Sequence, residues 1–254
     1  MVKIKTLKEI ETMAEGARIL ARVIKELEGR VRSGITTKEL DELAEELIFK
    51  SGGKCSFKGY ENFPACLCTS LNEEIVHAIP SKRILKEGDL LSLDLGVYYK
   101  GFHSDMAITV PVGKVSPCAE KLIEATRKTL EAGIKKVKPG NCIYDISQAI
   151  QEYAESQGYN IIHELCGHGI GKQVHEPPQI LNSVFFGEEA GDEKIRIKEG
   201  MVLCLEPMLS AGGWRIKKSK DGSAYETKDG SLSCHFEHTV AVLKDGAKVL
   251  TVLE

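Results

Sequence analysis

Two carboxylates lie inside two of the most apolar stretches of this 254-residue sequence. Asp94 belongs to KEGDLLSLDLG at residues 86–96, and Glu206 belongs to KEGMVLCLEPM at residues 198–208. A carboxylate among leucine, valine and methionine is costly to bury unless a cation meets it. The two acids therefore predict a cationic group in the interior of the protein.

The two apolar stretches also align with each other. When Lys86 is placed on Lys198, each segment is a Lys-Glu-Gly turn followed by an alternating β-strand, and Asp94 falls on Glu206. A chance match between two such turns is the alternative explanation. The alignment favours a divergent internal repeat that brings one carboxylate from each half of the chain to equivalent places.

Helix signals precede each aligned strand in the same order. Thr6 and Thr36 begin Thr-x-x-Glu capping boxes in the first half, and Ser116 followed by proline begins a third helix. A fourth helix ends at Gly158. We therefore predict an α/β (α+β) fold, in which two pseudo-twofold halves, approximately residues 1–112 and 113–254, each supply two helices and then strands around a curved sheet. The whole chain, residues 1–254, is expected to form a single catalytic domain.

Further polar residues with catalytic potential lie outside these two segments. Asp105 follows one hairpin length after the first carboxylate, and Glu237 begins a strongly β-forming run. His168 and His175 lie in a glycine-rich segment, and His77 precedes a proline turn. Taken singly, His77 and His175 are interpreted as ordinary structural or surface residues, and Asp105 stays open between a turn former and a ligand.

Taken as a group, these residues predict a metal centre. Four buried carboxylates that converge would repel one another, and two divalent cations would remove that repulsion. A neutral histidine would complete the coordination, and such an oxygen-rich set suits Co, Mn, Fe or Zn, a choice that the sequence leaves open. A pair of these ions holds a hydroxide that attacks a carbonyl carbon at neutral pH.

The overall charge and the cysteines bear on the class and compartment of the protein. The chain has 34 Lys and Arg residues against 37 Asp and Glu residues, so no net basic charge attracts nucleic acid. No apolar run approaches a membrane span, and the N-terminal residues do not resemble a secretory signal. The eight cysteines include no Cys-x-x-Cys pair and are interpreted as reduced thiols rather than a disulfide framework. These features predict a soluble cytoplasmic protein.

The order of the polar residues resembles that of the methionine aminopeptidases, in their short type I form, within the pita-bread metallopeptidases. The resemblance covers essentially the whole chain and depends on His77, Asp94, Asp105, GHGIGKQVHEPP (167–178), LEPM (205–208) and FEHT (236–239). It implies the pita-bread fold, with a mostly antiparallel central sheet. It also implies metal-dependent removal of the N-terminal methionine from nascent proteins and peptides.

The resemblance implies a role for each residue of the set. The two divalent ions would be bound by Asp94, Asp105, His168, Glu206 and Glu237. Asp105 and Glu237 would bridge the ions, and Glu206 would also carry a proton to the leaving amine. His175 would stabilise the oxyanion, and His77 would contact the peptide on its leaving side.

The methionine side chain needs an apolar pocket. The family's lining positions match Tyr60, Phe63, Cys55 and Cys68, and a thioether packs well against aromatic edges and thiols. For Tyr60 and Phe63, anchoring of their loop is the alternative interpretation.

Four positions depart from the family pattern. Ala78 replaces a glycine, Val174 an aromatic residue, Ser223 a tryptophan and His235 a glutamine. The last three are expected near the substrate end of the cleft, where they would affect the pocket rather than the metal chemistry. The polar segment at residues 183–194 is expected to be a lengthened, solvated loop.

Two other functions stay open on this fold. An Xaa-Pro aminopeptidase or prolidase has the same metal core but usually an extra N-terminal domain, whereas the first helix here begins within ten residues. A catalytically inactive pita-bread peptide-binding protein would have lost ligands, and all five are present. The expected partners of the chain, acting as a monomer, are the N-terminal methionine of nascent polypeptides and the ribosome. Neither a membrane nor a specific nucleic acid is expected.

Overall fold

Four α-helices flank a curved sheet in the computed structural model of the chain, which describes residues 1–184, 192 and 194–253. The helices are α1 (Leu7–Arg30), α2 (Thr37–Lys50), α3 (Pro117–Ile134) and α4 (Ile143–Ser156). The predicted caps of the first three are present, because the Thr6, Thr36 and Ser116 hydroxyls accept hydrogen bonds from backbone N–H groups of the first turn. None of these helices has the length and apolar character that a membrane span requires. Most of the predicted loop at residues 183–194 lies outside the described residues.

The strands of the first half are β1 (Lys54–Cys55), β2 (Leu67–Leu71), β3 (Glu74–Val76), β4 (Leu90–Tyr99) and β5 (Phe102–Pro111). Those of the second half are β6 (Asn160–Ile161), β7 (Cys166–Gly169), β8 (Glu176–Leu181), β9 (Val202–Leu205), β10 (Met208–Ser210), β11 (Ile216–Lys218), β12 (Tyr225–Thr227), β13 (Ser233–His235), β14 (Glu237–Leu243) and β15 (Gly246–Val249). A short 3₁₀ helix (Tyr60–Asn62) lies between β1 and β2.

The main sheet joins the two halves of the chain along one seam. Its order is β1-β4-β5-β14-β9-β7-β8, with β2 beside β4 and β15 beside β14, and its pairs are antiparallel. The β4–β5 pair of the first half therefore meets the β14–β9 pair of the second half between β5 and β14. This arrangement confirms the predicted fold class, in which β4 and β9 carry the aligned carboxylate segments.

Each pair of helices covers its own half of the sheet. Helices α1 and α2 contribute Leu20 and Leu40 to a buried cluster with Leu93 of β4. Helices α3 and α4 contribute to a second cluster, which includes Leu122 and Leu203. Burial of these apolar side chains stabilises the strands that carry the polar residues. It stays a prediction that the chain is a single domain whose two pseudo-symmetric halves meet near residue 112.

One pair of cysteines corrects the prediction of reduced thiols. Cys55 and Cys66 are joined by a disulfide, whereas the other six cysteines are free. The reason lies in the sheet, because β1 and β2 pair with neighbouring parts of β4, where Cys55 is opposite Val97 and Leu67 is opposite Leu95. This brings the two Cα atoms to 5.2 Å, a distance that a disulfide spans.

Candidate metal centre

The five predicted ligands come together at the floor of one cleft, each on a different part of the sheet. They are Asp94 on β4, Asp105 on β5, His168 on β7, Glu206 directly after β9, and Glu237 at the start of β14. Strand register explains their proximity, since Ala107 of β5 lies opposite Asp94 on one side and opposite Glu237 on the other. Asp105, two residues from Ala107, therefore points to the same face of the sheet.

Distances define two overlapping groups of ligand atoms. Carboxylate oxygens of Asp94, Asp105 and Glu237 all lie within 4.8 Å of one another. The second group contains one ligand atom each from His168, Cys204 and again Glu237, and these atoms also lie within 4.8 Å of one another. Glu206 adjoins this second group, with its Oε1 atom 3.4 Å from Nε2 of His168. Glu237 is therefore the residue that the two groups share.

Burial controls the charge of these groups. It raises the pKa of Asp94 to about 7, and it raises the pKa of Asp105, Glu206 and Glu237 well above the usual range. Neighbouring carboxylates add to the effect on the last three. Burial also lowers the pKa of His168 to about 3, which leaves its ring neutral. Without a cation, this cluster therefore favours protonated carboxyl groups.

The donor set fits a pair of divalent metal ions. Oδ1 of Asp94 and Oε1 of Glu237 are buried and accept no hydrogen bond from the described residues. Buried polar atoms are normally paired, so these two oxygens require an additional partner. Carboxylates with one neutral imidazole form a set that first-row divalent metals prefer.

Two residues at the centre were not predicted as functional. The Thr239 hydroxyl accepts a hydrogen bond from the backbone N–H of Asp105 and donates one to its carbonyl oxygen, at 2.9 and 2.8 Å. Cys204 shares a strand face with Glu206 and lies beside the His168 and Glu237 ligand atoms. The two-residue strand period placed Cys204 on that face, but the Thr239 contact joins strands that are 134 residues apart in sequence.

His175 lies beside the cluster of predicted ligands. Its ring centroid is 4.4 Å from that of His168, and its Nδ1 atom is 2.9 Å from the Tyr60 hydroxyl. The next residue, Glu176, is buried and accepts hydrogen bonds from the side chain of Lys5 at 3.0 Å and from the backbone N–H of Lys172. These contacts fix the turn that carries His175.

His77 lines the same cleft from the first half of the chain. Its φ of 64° is unusual for a residue other than glycine and directs the backbone sharply out of β3. The ring packs edge-on to Tyr225, with the centroids 6.0 Å apart. Desolvation by the surrounding protein lowers its pKa to about 4, and His175 adds a smaller effect, so His77 is neutral at neutral pH.

The cleft above the cluster has a volume of about 350 Å³ and is lined by both apolar and polar side chains. Tyr60, Phe63 and Cys68 line it as predicted, and Cys68 lies directly opposite Asp94 in the β2–β4 register. Cys55 is not among the lining residues, and its sulfur is bonded to that of Cys66, which directly precedes β2.

Phe57, two residues after Cys55, lines the cleft in its place. It was missed because the pocket prediction followed the family's lining positions, which match Cys55 and not Phe57. The spacing Phe57-x-x-Tyr60-x-x-Phe63, a regular run of aromatic residues, was a signal that could have found it.

The four departures from the family pattern lie in different places. Ser223 lines the cleft, whereas Ala78 and Val174 are buried and are absent from its lining in the described residues. His235, which was expected near the substrate end of the cleft, is not among the described residues that line it. Its Nε2 atom lies 3.9 Å from Oε2 of Glu206, beside the metal-ligand cluster.

Comparison with known proteins agrees with this geometry. Residues 11–244 match the sequence profile of metallopeptidase family M24. The methionine aminopeptidase of Clostridium perfringens is 44% identical over 254 residues, which cover 100% of both chains. The crystal structure of the methionine aminopeptidase from Thermotoga maritima is 39% identical, with a TM-score of 0.95 and 100% of both chains covered. A prolidase from Pyrococcus furiosus is 24% identical, with a TM-score of 0.80 over 99% of this chain and 66% of that chain, and indicates a shared fold only.

Proposed function

This chain belongs to the methionine aminopeptidases of metallopeptidase family M24, and we propose that five clustered side chains carry out its hydrolysis of the bond after an N-terminal methionine. The proposed ligands are Asp94, Asp105, His168, Glu206 and Glu237, which would hold two divalent ions chosen from Co, Mn, Fe or Zn. When bound, such ions supply a nucleophilic hydroxide at neutral pH and neutralise the carboxylates.

The observation that carries this proposal is the shared position of Glu237. Its carboxylate lies within 4.8 Å of ligand atoms in both groups, one with Asp94 and Asp105 and the other with His168. A carboxylate between two groups of ligands is suited to bridging two ions. The closeness of Asp94, Asp105 and Glu237, each with a raised pKa, supports a need for cationic charge at this place. We assign the second bridge to Asp105 by the family resemblance.

His175 is proposed to donate a hydrogen bond to the developing oxyanion. Its Nδ1 atom is 2.9 Å from the Tyr60 hydroxyl. If that hydroxyl donates to Nδ1, the neutral ring carries its proton on Nε2, the nitrogen that remains available to the substrate. A donor fixed in this way stabilises charge where it develops. Glu206 is proposed to move a proton to the leaving amine, and His77 to contact the peptide on its leaving side.

The apolar wall formed by Phe57, Tyr60, Phe63 and Cys68 is proposed to receive the methionine side chain. The bound methionine would lie against aromatic edges and a buried thiol, which favours a thioether over a polar side chain. The proposed substrates are nascent polypeptides, met in the cytoplasm by a monomeric enzyme, with the ribosome as a further partner. Six free thiols fit that compartment, whereas the Cys55–Cys66 disulfide is of a kind that is rare there.

The test is cleavage of a Met-Ala-Ser peptide by the purified protein, before and after removal of metal with a chelator. Activity that is lost with the metal and returns on adding about two equivalents of Co²⁺ or Mn²⁺ supports the proposal. A Xaa-Pro peptide serves as the competing substrate. Preferential cleavage of that peptide would favour the prolidase-like alternative, and peptide binding without cleavage would favour an inactive binding protein.

A further inference from the structure

His235 is a buried histidine whose ring nitrogens have no hydrogen-bond partner among the described residues. Only 2% of its side chain is exposed. A neutral imidazole has one N–H donor and one acceptor nitrogen, and both are normally satisfied when buried. The ring nitrogens of His235 therefore need a hydrogen-bond partner on the side of the cleft.

The backbone of His235 is fixed more tightly than its side chain. The residue ends β13, where it pairs with Met208 of β10. The hydroxyl of Thr109 on β5 accepts a hydrogen bond from the His235 N–H and donates one to its carbonyl oxygen, both at 2.9 Å. These contacts hold the backbone from which the His235 ring projects, and the structure places its Nε2 atom near the carboxylate of Glu206.

The nearest charged partner is the carboxylate of Glu206. Nε2 of His235 lies 3.9 Å from Oε2, whereas Nε2 of His168 lies 3.4 Å from Oε1. The carboxylate is therefore flanked by one imidazole at each oxygen. The backbone carbonyl of Glu206 accepts a hydrogen bond from the side-chain amide of Asn182 at 3.1 Å, which holds the Glu206 main chain in place.

We propose that His235 positions Glu206 by donating a hydrogen bond from Nε2–H to Oε2, which leaves Oε1 beside His168 for a metal ion. The inference rests on the proposed ligand role of Glu206. A separation of 3.9 Å exceeds a hydrogen bond by about 1 Å, an amount that rotation of the carboxylate can remove. Carboxylate ligands are commonly oriented by such outer hydrogen bonds, and loss of one costs about 10- to 100-fold in metal affinity.

Substitution of His235 by Gln or Asn tests whether Nε2 is the nitrogen that contacts Glu206. A glutamine amide nitrogen reaches about as far from the backbone as Nε2 of histidine, whereas an asparagine amide nitrogen reaches only as far as Nδ1. His235→Gln should therefore preserve the contact with Glu206, and His235→Asn should lose it. His235→Leu removes every polar atom at similar size.

The experiment is a calorimetric titration of each metal-free variant with Co²⁺, with thermal unfolding of the same samples as a measure of folding. His235→Gln is expected to bind Co²⁺ within about threefold of the unaltered protein, and His235→Asn about 10- to 100-fold more weakly. Both should unfold at similar temperatures. Equal Co²⁺ affinity in the Gln and Asn variants, or an unaltered affinity in the Asn variant alone, would overturn the assignment to Nε2. The comparison of Gln with Asn stands even if His235→Leu fails to fold.

Glu206→Gln separates this inference from the proposed function. If Glu206 is a ligand, this variant should lose one of about two Co²⁺ equivalents. If Glu206→Gln keeps both equivalents, the ligand set of the proposed function is wrong, and the role of His235 is wrong with it. If Glu206→Gln loses one equivalent while the His235 series shows a uniform affinity, only the positioning role of His235 is wrong.

Discussion

The floor and the wall of the cleft are built in different ways. The floor residues Asp94, Asp105 and Glu237 lie on strands that hydrogen-bond to neighbours in the main sheet. The wall is the segment of residues 56–65, in which Glu61 and Asn62 have φ values of 46° and 67°, and it is tied to the sheet by the Cys55–Cys66 bond. If the proposed site is right, the reaction depends on side chains held by the sheet, whereas selectivity depends on a loop tied down by the disulfide.

The largest expected effect follows from a change in the floor. Asp94→Asn removes the charge whose oxygen Oδ1 has no partner among the described residues. Loss of several kcal/mol of transition-state stabilisation lowers kcat/KM on the order of 10³-fold, and metal content should fall with it. Peptide cleavage and elemental analysis measure the two effects. Glu87→Gln, an exposed acid in the turn before β4, is the control, and a fully active Asp94→Asn would refute the metal centre.

The next largest effect separates the oxyanion donor from the metal ligands. His175→Ala is expected to lower kcat about 10²- to 10³-fold, because one donor to the developing charge is lost, while metal content is retained. Tyr60→Phe removes the hydroxyl 2.9 Å from Nδ1 and should have a smaller effect in the same direction. Metal loss in His175→Ala equal to that in Asp94→Asn would place His175 among the ligands instead.

A change in the wall should alter selectivity rather than chemistry. Phe57→Ala is expected to lower the preference for methionine over norleucine or alanine at the N-terminus about 10-fold, chiefly through KM, since a hydrophobic pocket contact is worth 1–3 kcal/mol. Competition between the peptides measures this preference. Phe49→Ala, an aromatic residue 80% exposed on α2, serves as the matched control. Unchanged selectivity in Phe57→Ala would remove Phe57 from the methionine pocket.

Opening the clamp should have a still smaller effect on activity. A Cys55→Ser, Cys66→Ser double variant frees the segment that carries Tyr60 and Phe63, so KM is expected to rise about two- to fivefold with kcat retained. The free energy of unfolding should fall by about 2–3 kcal/mol at most, because the bond closes a short loop. Denaturant titration and steady-state kinetics test both, with Cys118→Ser, an exposed free thiol, as control. A loss of kcat comparable to that in His175→Ala would contradict the division between floor and wall.

The smallest effect concerns the stability of the metal-free protein. The pKa of Asp94 is about 7 in the fold and near 4 when unfolded, so the folded state binds more protons between these values. Stability is then fully present below pH 4 and declines as the pH rises through 7. We expect the metal-free protein to have a Tm about 5 °C lower at pH 8 than at pH 5, with a weaker dependence in Asp94→Asn. A Tm that rises over this range would contradict the raised pKa.

The structure brings all five side chains predicted as ligands together at the floor of the cleft, but only three of the four predicted for the methionine pocket line it. Asp94 and Glu206 were recognisable because a carboxylate inside a leucine-rich strand is costly, and that cost is visible locally. Cys55 and Phe57 are separated by a single residue, and the sequence did not show that Phe57 lines the cleft while Cys55 bonds to Cys66.

The sequence by itself determined the helices, whose capping boxes act within four residues, and the strands that carry the buried acids. Only the tertiary structure decided which side chains meet. Thr239 reaches Asp105 across 134 residues, and His235 comes to lie beside Glu206 rather than at the pocket. The physical reason is that strand alternation specifies a face locally, whereas the register between distant strands depends on the packing of the whole sheet.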